Sequence, residues 1–310
     1  MASLSSGLNA NVVKTALDNV VFQEFELDPG PDVARATDPI VFRQKTADSA
    51  AEIMEVFKGV GLWDTRAEEE DVPSSTPRVG DQITFTMNNF ANSVDITKNL
   101  FDDDKHSVVE NMMREFGDKA RITQDSTAYG LFRNGFGTTL TADGAALFSA
   151  SHTNLNGDTV DNLDTAALSE TSLNTGIIGL MEQVDQAGVV RGHQANCLLV
   201  PPALYKLAVE ITDSELRSGT ADNDMNVYSA KYGLFVKQSP YLGAASGGSD
   251  TAWFLLARNH QIHRWVRQDL VTDLIDWRLQ RNNNYIYKGE YREQLGAVTY
   301  EGAWGSDGSV

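Results

Sequence analysis

The sequence has 310 residues and a formal net charge of −18, with 41% hydrophobic and 22% charged residues. This composition is typical of a globular protein with one or two domains and a sizeable core. The acidic excess argues against a nucleic-acid-binding surface and against an anionic-membrane surface, because both need clustered Lys and Arg.

The single cysteine, Cys197, excludes an internal disulfide and fits a reducing compartment. It lies in the apolar run ANCLLV, which predicts a buried, unreactive thiol. No run of 18 apolar residues is present, and the N-terminus lacks the basic region and apolar core of a signal peptide. We therefore expect a soluble protein that is made in the cytoplasm and has no membrane partner.

Residues 1–45 predict an N-terminal arm. Its first part has apolar residues at helical spacing, with Asn9 or Asn11 as a candidate cap. These apolar residues are Val12, Val13, Ala16, Leu17, Val20 and Val21. Residues 25–39 then contain three prolines and a glycine, so they cannot form a core of their own. This part is either a linker or an arm that finds its partners elsewhere.

Residues 46–100 predict a projecting β-hairpin. An apolar run ending at Leu62 and Trp63 is followed by a charged segment, TRAEEEDVPSSTPR, and then by alternating residues. The alternation places Ile83, Phe85 and Met87 on one face, and Val94 and Ile96 continue it. The tip, residues 68–78, is acidic. Because an isolated two-stranded ribbon is marginal in water, it needs a surface to lie on. An ordinary surface hairpin is the alternative.

Residues 102–136 predict one long helix, which acts as a spine. Ser107 and Glu110 have the spacing of a capping box, and Gly135 and Gly137 end the pattern. At 1.5 Å per residue, about 28 residues give a rod of roughly 40 Å. Residues 121–127 are thinly apolar and are expected to be half exposed at best. A spine lying across a sheet is one interpretation, and an ordinary long core helix is the other.

Residues 137–168 are rich in turn-forming residues. Asp158, Asp161 and Asp164 are spaced by three, whereas a calcium-binding EF-hand loop uses alternate positions and a closing Glu. We therefore interpret them as solvated turns.

Residues 169–258 predict a compact α/β unit. A helix over 170–187 buries Leu173, Ile177, Leu180, Met181 and Val184 and ends before Gly188. A strand, a second helix opened by Pro202 and two further strands follow, with the apolar run TAWFLLA as the central strand. The last 50 residues alternate apolar and polar and are expected to pack on the spine helix.

Catalytic motifs were not found: the sequence has no nucleophile elbow, P-loop or dinucleotide fingerprint. His260 and His263 are three apart, which puts them on opposite faces of a strand and disfavours one metal site. Ser149 and Ser151 are too close in sequence to His152 to imply a triad. We predict no catalytic residue, cofactor or metal. A soluble hydrolase that uses His152 or the Asp-rich loops is the rival from another class.

The order of these parts resembles the major capsid protein of tailed bacteriophages, which has the HK97-like fold. Four stretches carry the likeness, near the Mu-like head-subunit branch of that family. They are SVDITKNLFDDDKHSVVENMMREFG, DGAALFSASHTN, NCLLVPPALYKLA and EYREQLGAVTYEGAWG. The resemblance implies an α+β fold with an N-terminal arm (1–45) and an extended β-hairpin loop (46–100). It also implies a peripheral domain with the spine helix (101–168 and 259–310) and an α/β axial domain (169–258).

The function implied by the resemblance is self-assembly into pentamers and hexamers that form an icosahedral shell around double-stranded DNA, without sequence-specific binding. The protein would be part of the virion, with portal, scaffolding and decoration proteins as partners. An encapsulin-like shell around protein cargo is the neighbouring alternative. The charged hairpin residues are the candidate inter-subunit contacts. They are Arg66, Glu68, Glu69, Glu70, Asp71 and Arg78.

Overall fold

The computed structural model describes residues 10–74, 77–104, 107–214, 228 and 233–309. Its first elements are α1 (Ala10–Phe25), β1 (Arg43–Thr46), β2 (Ala51–Lys58), β3 (Arg78–Thr86), β4 (Asn88–Thr97), α2 (Lys98–Asp102) and α3 (Val108–Arg133). Then follow β5 (His152–Thr153), β6 (Thr159–Val160), β7 (Leu163–Asp164), α4 (Glu170–Glu182), β8 (Ala195–Val200), α5 (Pro202–Thr212) and β9 (Phe235–Gln238). The last are β10 (Trp253–Ala257), β11 (Ile262–Ile275), β12 (Asn284–Ala297) and β13 (Ala303–Ser306). The predicted α+β class is confirmed.

Two sheets form the body of the molecule. A four-stranded sheet has the order β1-β11-β12-β4, in which β1 is parallel to β11 and the other neighbours are antiparallel. A five-stranded sheet has the order β7-β13-β10-β8-β9. The predicted central position of β10 is confirmed, and its five residues are all buried. A strand that is buried on both faces has a continuous apolar sequence, and this pattern is why the central position of β10 could be predicted.

The helix α3 connects the two sheets. Its N-terminal half packs Met113 and Phe116 against the four-stranded sheet, where Phe116 meets the Tyr287 ring edge-on at 5.6 Å. Its C-terminal half packs Tyr129 and Phe132 against Phe254 of β10 and its surroundings. At 26 residues, α3 is about 39 Å long. The predicted spine therefore lies across both sheets.

The spine helix begins at Val108, directly after the predicted N-cap Ser107, but the predicted capping box is absent and the helix does not extend back to residue 102. α2 precedes it as a separate short helix, and Ser107 has a left-handed backbone (φ 53°) without a side-chain capping bond. Asp104 caps α3 instead: its two carboxylate oxygens accept from the N–H groups of Val108 and Val109 at 2.9 and 3.0 Å. A carboxylate at the positive end of the helix satisfies two free donors, one with each oxygen, and its negative charge interacts favourably with the helix dipole.

The expectation for the middle of the spine helix holds at residues 121–123, 126 and 127, which are half-buried or exposed, but not at two positions. Gln124 and Asp125 are 3% and 2% exposed, although this stretch was expected to be half exposed. Their polar groups are paired inside the body, as described below. Apolar periodicity cannot detect a buried helix face that carries polar side chains.

The segment after α1 contributes to the body of its own chain. The α1 helix was predicted correctly, with Val13, Leu17 and Val21 buried against α3 and the four-stranded sheet. The Pro-rich segment and the residues beyond it then place Ala34, Ala36, Val41 and Phe42 in the core beside α3. The linker interpretation was therefore wrong, because the partners of this segment lie within the same chain.

The helix α4 ends at Glu182, earlier than the predicted residue 187. Gln183 leaves the helical conformation, and its buried side chain accepts a 2.7 Å hydrogen bond from the Gly302 N–H. The hydrogen bond between Gln183 and Gly302 forms in place of a further turn of α4. Leu173, Ile177 and Leu180 are buried as predicted, whereas Met181 is 46% exposed.

The domain boundaries remain predictions. Strand pairing shows that β7 and β13, which we assigned to the peripheral domain, lie in the same sheet as β10 and β8 of the α/β unit. The sequence could not show this, because sheet order joins segments that are distant along the chain. Most of the polar loop between α5 and β9 lies outside the described residues.

Candidate assembly surfaces

The strands β2 and β3 form the predicted antiparallel hairpin, in which Lys58 lies opposite Arg78 and residues 59–77 make the connection. One face of the hairpin packs on the body through Val56 and Phe85. The rings of Phe85 and Trp265 are stacked at 4.4 Å. Val94 and Ile96 do not belong to the hairpin, because β4 pairs with β12.

The end of the hairpin next to the connection is held by the loop between β5 and β6. A side chain at position 80 would meet the Leu155 methyl carbon at 2.3 Å, so Leu155 packs directly on the Gly80 backbone. The Lys58 ammonium donates a 2.9 Å hydrogen bond to the Asn156 side-chain oxygen. The paired strands of the hairpin are therefore fixed by their own chain up to the start of the connection.

The outer face and tip of the hairpin are apolar and exposed. Phe57 and Val79 are cross-strand partners, and both are more than half exposed. Trp63 is 95% exposed and Leu62 is 75% exposed. The exposed set is Ile53, Phe57, Val60, Leu62, Trp63, Val72 and Val79, which we call the ribbon patch. So many large apolar side chains exposed on one hairpin indicate an interaction site.

The predicted contact residues surround the ribbon patch. Arg66, Glu68, Glu69, Glu70 and Asp71 all lie in the exposed connection between β2 and β3, and Arg78 is the first residue of β3. Within the described part of the chain, none of these six forms an ion pair. Their charges are free to meet another molecule, but nothing in a single chain tests that contact.

Sequence reasoning selected the charges and passed over the ribbon patch. The signal was present, since Leu62 and Trp63 lie in a stretch with too few apolar residues to bury them. Large apolar side chains next to glycines and a charged run indicate a surface that a partner covers.

A buried ionic cluster fixes the spine helix to the sheet. Arg264 donates to Glu293 Oε2 through Nε at 2.8 Å and through Nη2, and it reaches Gln44 Oε1 through Nη1 at 2.9 Å. Gln124 of α3 donates to the same Glu293 oxygen at 3.2 Å. Burial raises the pKa of the Glu293 carboxyl, and the Arg264 guanidinium opposes that rise.

Asp125, the next residue of α3, holds the arm segment. It accepts a 2.8 Å hydrogen bond from the Ala36 N–H, and its second oxygen lies 3.5 Å from Arg35 Nε. Burial raises the pKa of the Asp125 carboxyl. The two polar residues that interrupt the apolar stripe of α3 thus serve two different attachments.

The hydrolase hypothesis required His152 to meet a serine and a carboxylate. His152 is fully buried, and Nδ1 lies 2.7 Å from Asp143 Oδ2. Its other nitrogen lies 3.3 Å from the Leu147 carbonyl oxygen, and the hydroxyls of Ser149 and Ser151 pair with each other. Burial by itself would raise the pKa of the Asp143 carboxyl. Hydrogen bonds from His152 and Thr141 outweigh burial and lower this pKa. Among the described residues, both ring nitrogens of His152 face groups of the body, Asp143 and Leu147, and no serine hydroxyl is paired with them.

The remaining candidate groups are buried in the body. Burial lowers the pKa of His260 to about 4 and that of His263 to about 3. Cys197 is buried as predicted, and burial raises the pKa of its thiol. His106 lies outside the described residues. Among those described, no three His, Cys, Asp or Glu side chains come together as a metal site. No described helix is long and apolar enough to span a membrane.

Many solved structures share this fold, including the following three. The capsid of cyanophage P-SCSP1u aligns over 90% of both chains with a TM-score of 0.59 and 11% identity. The mature capsid of bacteriophage PhiM1 aligns over 90% of this chain and 89% of its own, with a TM-score of 0.58 and 12% identity. The virus-like particle from Pyrococcus furiosus aligns over 94% of this chain and 98% of its own, with a TM-score of 0.55 and 8% identity. No curated protein matches the sequence.

A family model described as phage capsid protein matches residues 81–293, from the second hairpin strand to the last long strand. The match covers the spine helix, the α/β unit and most strands of both sheets, but not β1 or β13. It confirms the predicted HK97-like fold and the predicted structural function, in place of an enzyme. The Mu-like branch stays a prediction. The chain belongs to the phage capsid protein family and is a major capsid protein.

Proposed function

We propose that copies of this chain form pentamers and hexamers through residues 169–258 and close into an icosahedral shell around the double-stranded DNA of a tailed phage. The observation that carries the proposal is the ribbon patch, which a soluble single chain would leave in water. Family membership supports a neighbouring copy as the partner that covers it.

The hairpin provides the proposed inter-subunit contact. Leu155 and Asn156 fix its strands where the connection begins, so the connection starts from a defined position. Apolar burial supplies affinity, while the charges of Arg66, Glu68, Glu69, Glu70, Asp71 and Arg78 supply register and orientation. The acidic surface suits a container that does not grip DNA. Portal, scaffolding and decoration proteins are the further partners proposed for this virion protein, which is made in the host cytoplasm.

The test is a variant in which Asn-Gly replaces residues 59–77 and joins Lys58 directly to Arg78 by a two-residue hairpin turn. We expect a folded chain with unchanged circular dichroism that no longer forms shells by electron microscopy and sedimentation. A matched variant replaces only residues 73–77, which contain no member of the ribbon patch, with a Gly-Ser linker of equal length and should still assemble. Shells of normal size from the shortened hairpin would contradict the proposal.

The cargo decides between a phage head and an encapsulin-like compartment, since the virus-like particle from Pyrococcus furiosus shares the fold. Particles isolated from infected cells should contain nuclease-protected double-stranded DNA and no stoichiometric enclosed protein. A single enclosed protein and no DNA would favour the compartment.

A further inference from the structure

A groove remains open at the β4 edge of the four-stranded sheet. α1 covers β11, α3 covers β12, and α2 packs on the end of β4 at the buried Ile96, but the described elements leave the first half of β4, residues 89–92, open. The groove has a volume of about 320 Å³. Its apolar lining comes from Phe90, Phe116, Ala120, Leu270 and Tyr291.

The groove is shaped for a planar aromatic group. Phe90 and Tyr291 are stacked at 4.9 Å and form one wall. Gly289 lies between Phe116 and Leu270, and a side chain there would lie 3.1 Å from the Phe116 ring. An apolar cavity of about 150 Å³ holds a benzene molecule. The volume available here is about twice that, which is enough for an indole.

The rim of the groove carries a positive charge. Lys119 lines the groove and is exposed on α3, and it forms no ion pair within the described part of the chain. The hairpin connection presents the opposite charge, with Asp64 next to Trp63 and four further carboxylates between residues 68 and 71. Charge of opposite sign at both surfaces favours their approach and fixes their register.

We propose that Trp63 of one copy inserts into the β4 groove of a neighbouring copy, with Lys119 facing the acidic tip. The inference deepens the proposed function and rests on it, because it names the residues through which subunits join. Trp63 and the β4 groove lie on different surfaces of one chain, so the contact between two copies is head-to-tail. Such contacts repeat around a ring or continue into a lattice, which is what a closed shell needs.

Cysteine crosslinking tests the contact directly while Trp63 is retained. The double variant Asp64→Cys, Thr123→Cys places one thiol beside the indole and one on the groove lining. The native Cys197 is buried and gives little background. Oxidation of assembled particles should produce a ladder of covalent multimers on a denaturing gel. The control pair Asp64→Cys, Thr175→Cys, with the second thiol exposed on α4, should stay monomeric.

The outcomes separate the two proposals. Particles that form normally but give no Asp64–Thr123 ladder, or a ladder equal to that of the Thr175 control, overturn the Trp63 contact and leave the shell function intact. A chain that never forms particles overturns both.

Truncation gives a second test. Trp63→Ala should raise the critical concentration for assembly about 30-fold, as expected for a central aromatic anchor. Trp63→Phe should recover most of that loss, because a smaller ring still enters the groove. The melting temperature of the unassembled chain should not change, since Trp63 is 95% exposed. Wild-type assembly by Trp63→Ala would overturn the inference.

Discussion

The body and the hairpin use similar apolar residues in opposite ways. In the body, Val21, Met113 and Phe132 are at most 1% exposed, and each is enclosed by its own chain. In the hairpin, Phe57 and Trp63 are 58% and 95% exposed. We therefore expect stability and assembly to depend on separate residues. Substitutions in the body should unfold the chain, and substitutions on the ribbon patch should leave it folded but unassembled.

The largest effect on the body is expected for Glu293→Ala. The substitution leaves Arg264 buried without its carboxylate, and breaking a buried pair in this way costs about 3–5 kcal/mol of unfolding free energy. Urea unfolding of the unassembled chain measures it. Glu290→Ala is the matched control on the same strand, where the side chain is exposed and the change should be about 0.5 kcal/mol or less. Equal losses for the two variants would contradict the importance of the buried cluster.

The contact between α1 and α3 should be the next most sensitive. A methyl group at Gly117 would lie 2.4 Å from the Val21 carbonyl oxygen, so Gly117→Ala must push the two helices apart at a cost of about 2 kcal/mol. Gly130→Ala, on the same helix, meets only the end of the Arg133 side chain at 3.4 Å. That control should stabilise α3 by about 0.5 kcal/mol because alanine favours helix. Thermal unfolding of both variants distinguishes them.

The pH dependence of stability should come from the body as well. The pKa of His263 is about 3 in the folded chain, against an ordinary value of 6.5, because burial and the neighbouring Lys45 and Arg43 disfavour its charge. Below about pH 6.5 only the unfolded chain binds this proton, so stability falls with falling pH by about 1.4 kcal/mol per unit. The pKa of His260 is about 4 in the folded chain, so this residue adds an equal loss of stability per pH unit between about pH 6.5 and pH 4.

The variant His263→Gln isolates one of these contributions. The difference in unfolding free energy between wild type and variant should shrink as the pH falls from 7 to 5, since only the wild type loses stability through this group. A pH-independent difference would show that His263 titrates normally in the folded chain.

The smallest effect on stability, with a large effect on assembly, is expected for Phe57→Ser. The side chain lies on the outer face of the hairpin, so the unfolding free energy should change by about 0.5 kcal/mol or less while shells are lost. Phe85→Ser is the contrasting variant on the inner face, where the ring stacks on Trp265. It should destabilise the chain by about 3 kcal/mol. A large loss of unfolding free energy in Phe57→Ser would contradict the expectation that the outer face of the hairpin contributes little to the stability of the chain.

Periodicity and turn chemistry predicted the elements but not their ends. The hairpin, α1, the spine helix and the central strand β10 all follow from apolar spacing, which depends on neighbouring residues alone. The start of α3 and the end of α4 did not, because Asp104 and Gln183 make bonds that the simple motifs do not include. The predicted contact residues stay a prediction; they lie in the same hairpin as the exposed aromatic residues, which sequence reasoning passed over.

The sequence by itself determined the class of fold, the family and the presence of a ribbon too poor in apolar residues to bury its own. These properties depend on local patterns and on the order of elements along the chain. Only the tertiary structure decided that the arm packs on its own spine helix, that Gln124 and Asp125 are buried, and that β13 joins the five-stranded sheet. Each of these depends on contacts between residues far apart in sequence, whose free energy no local pattern records.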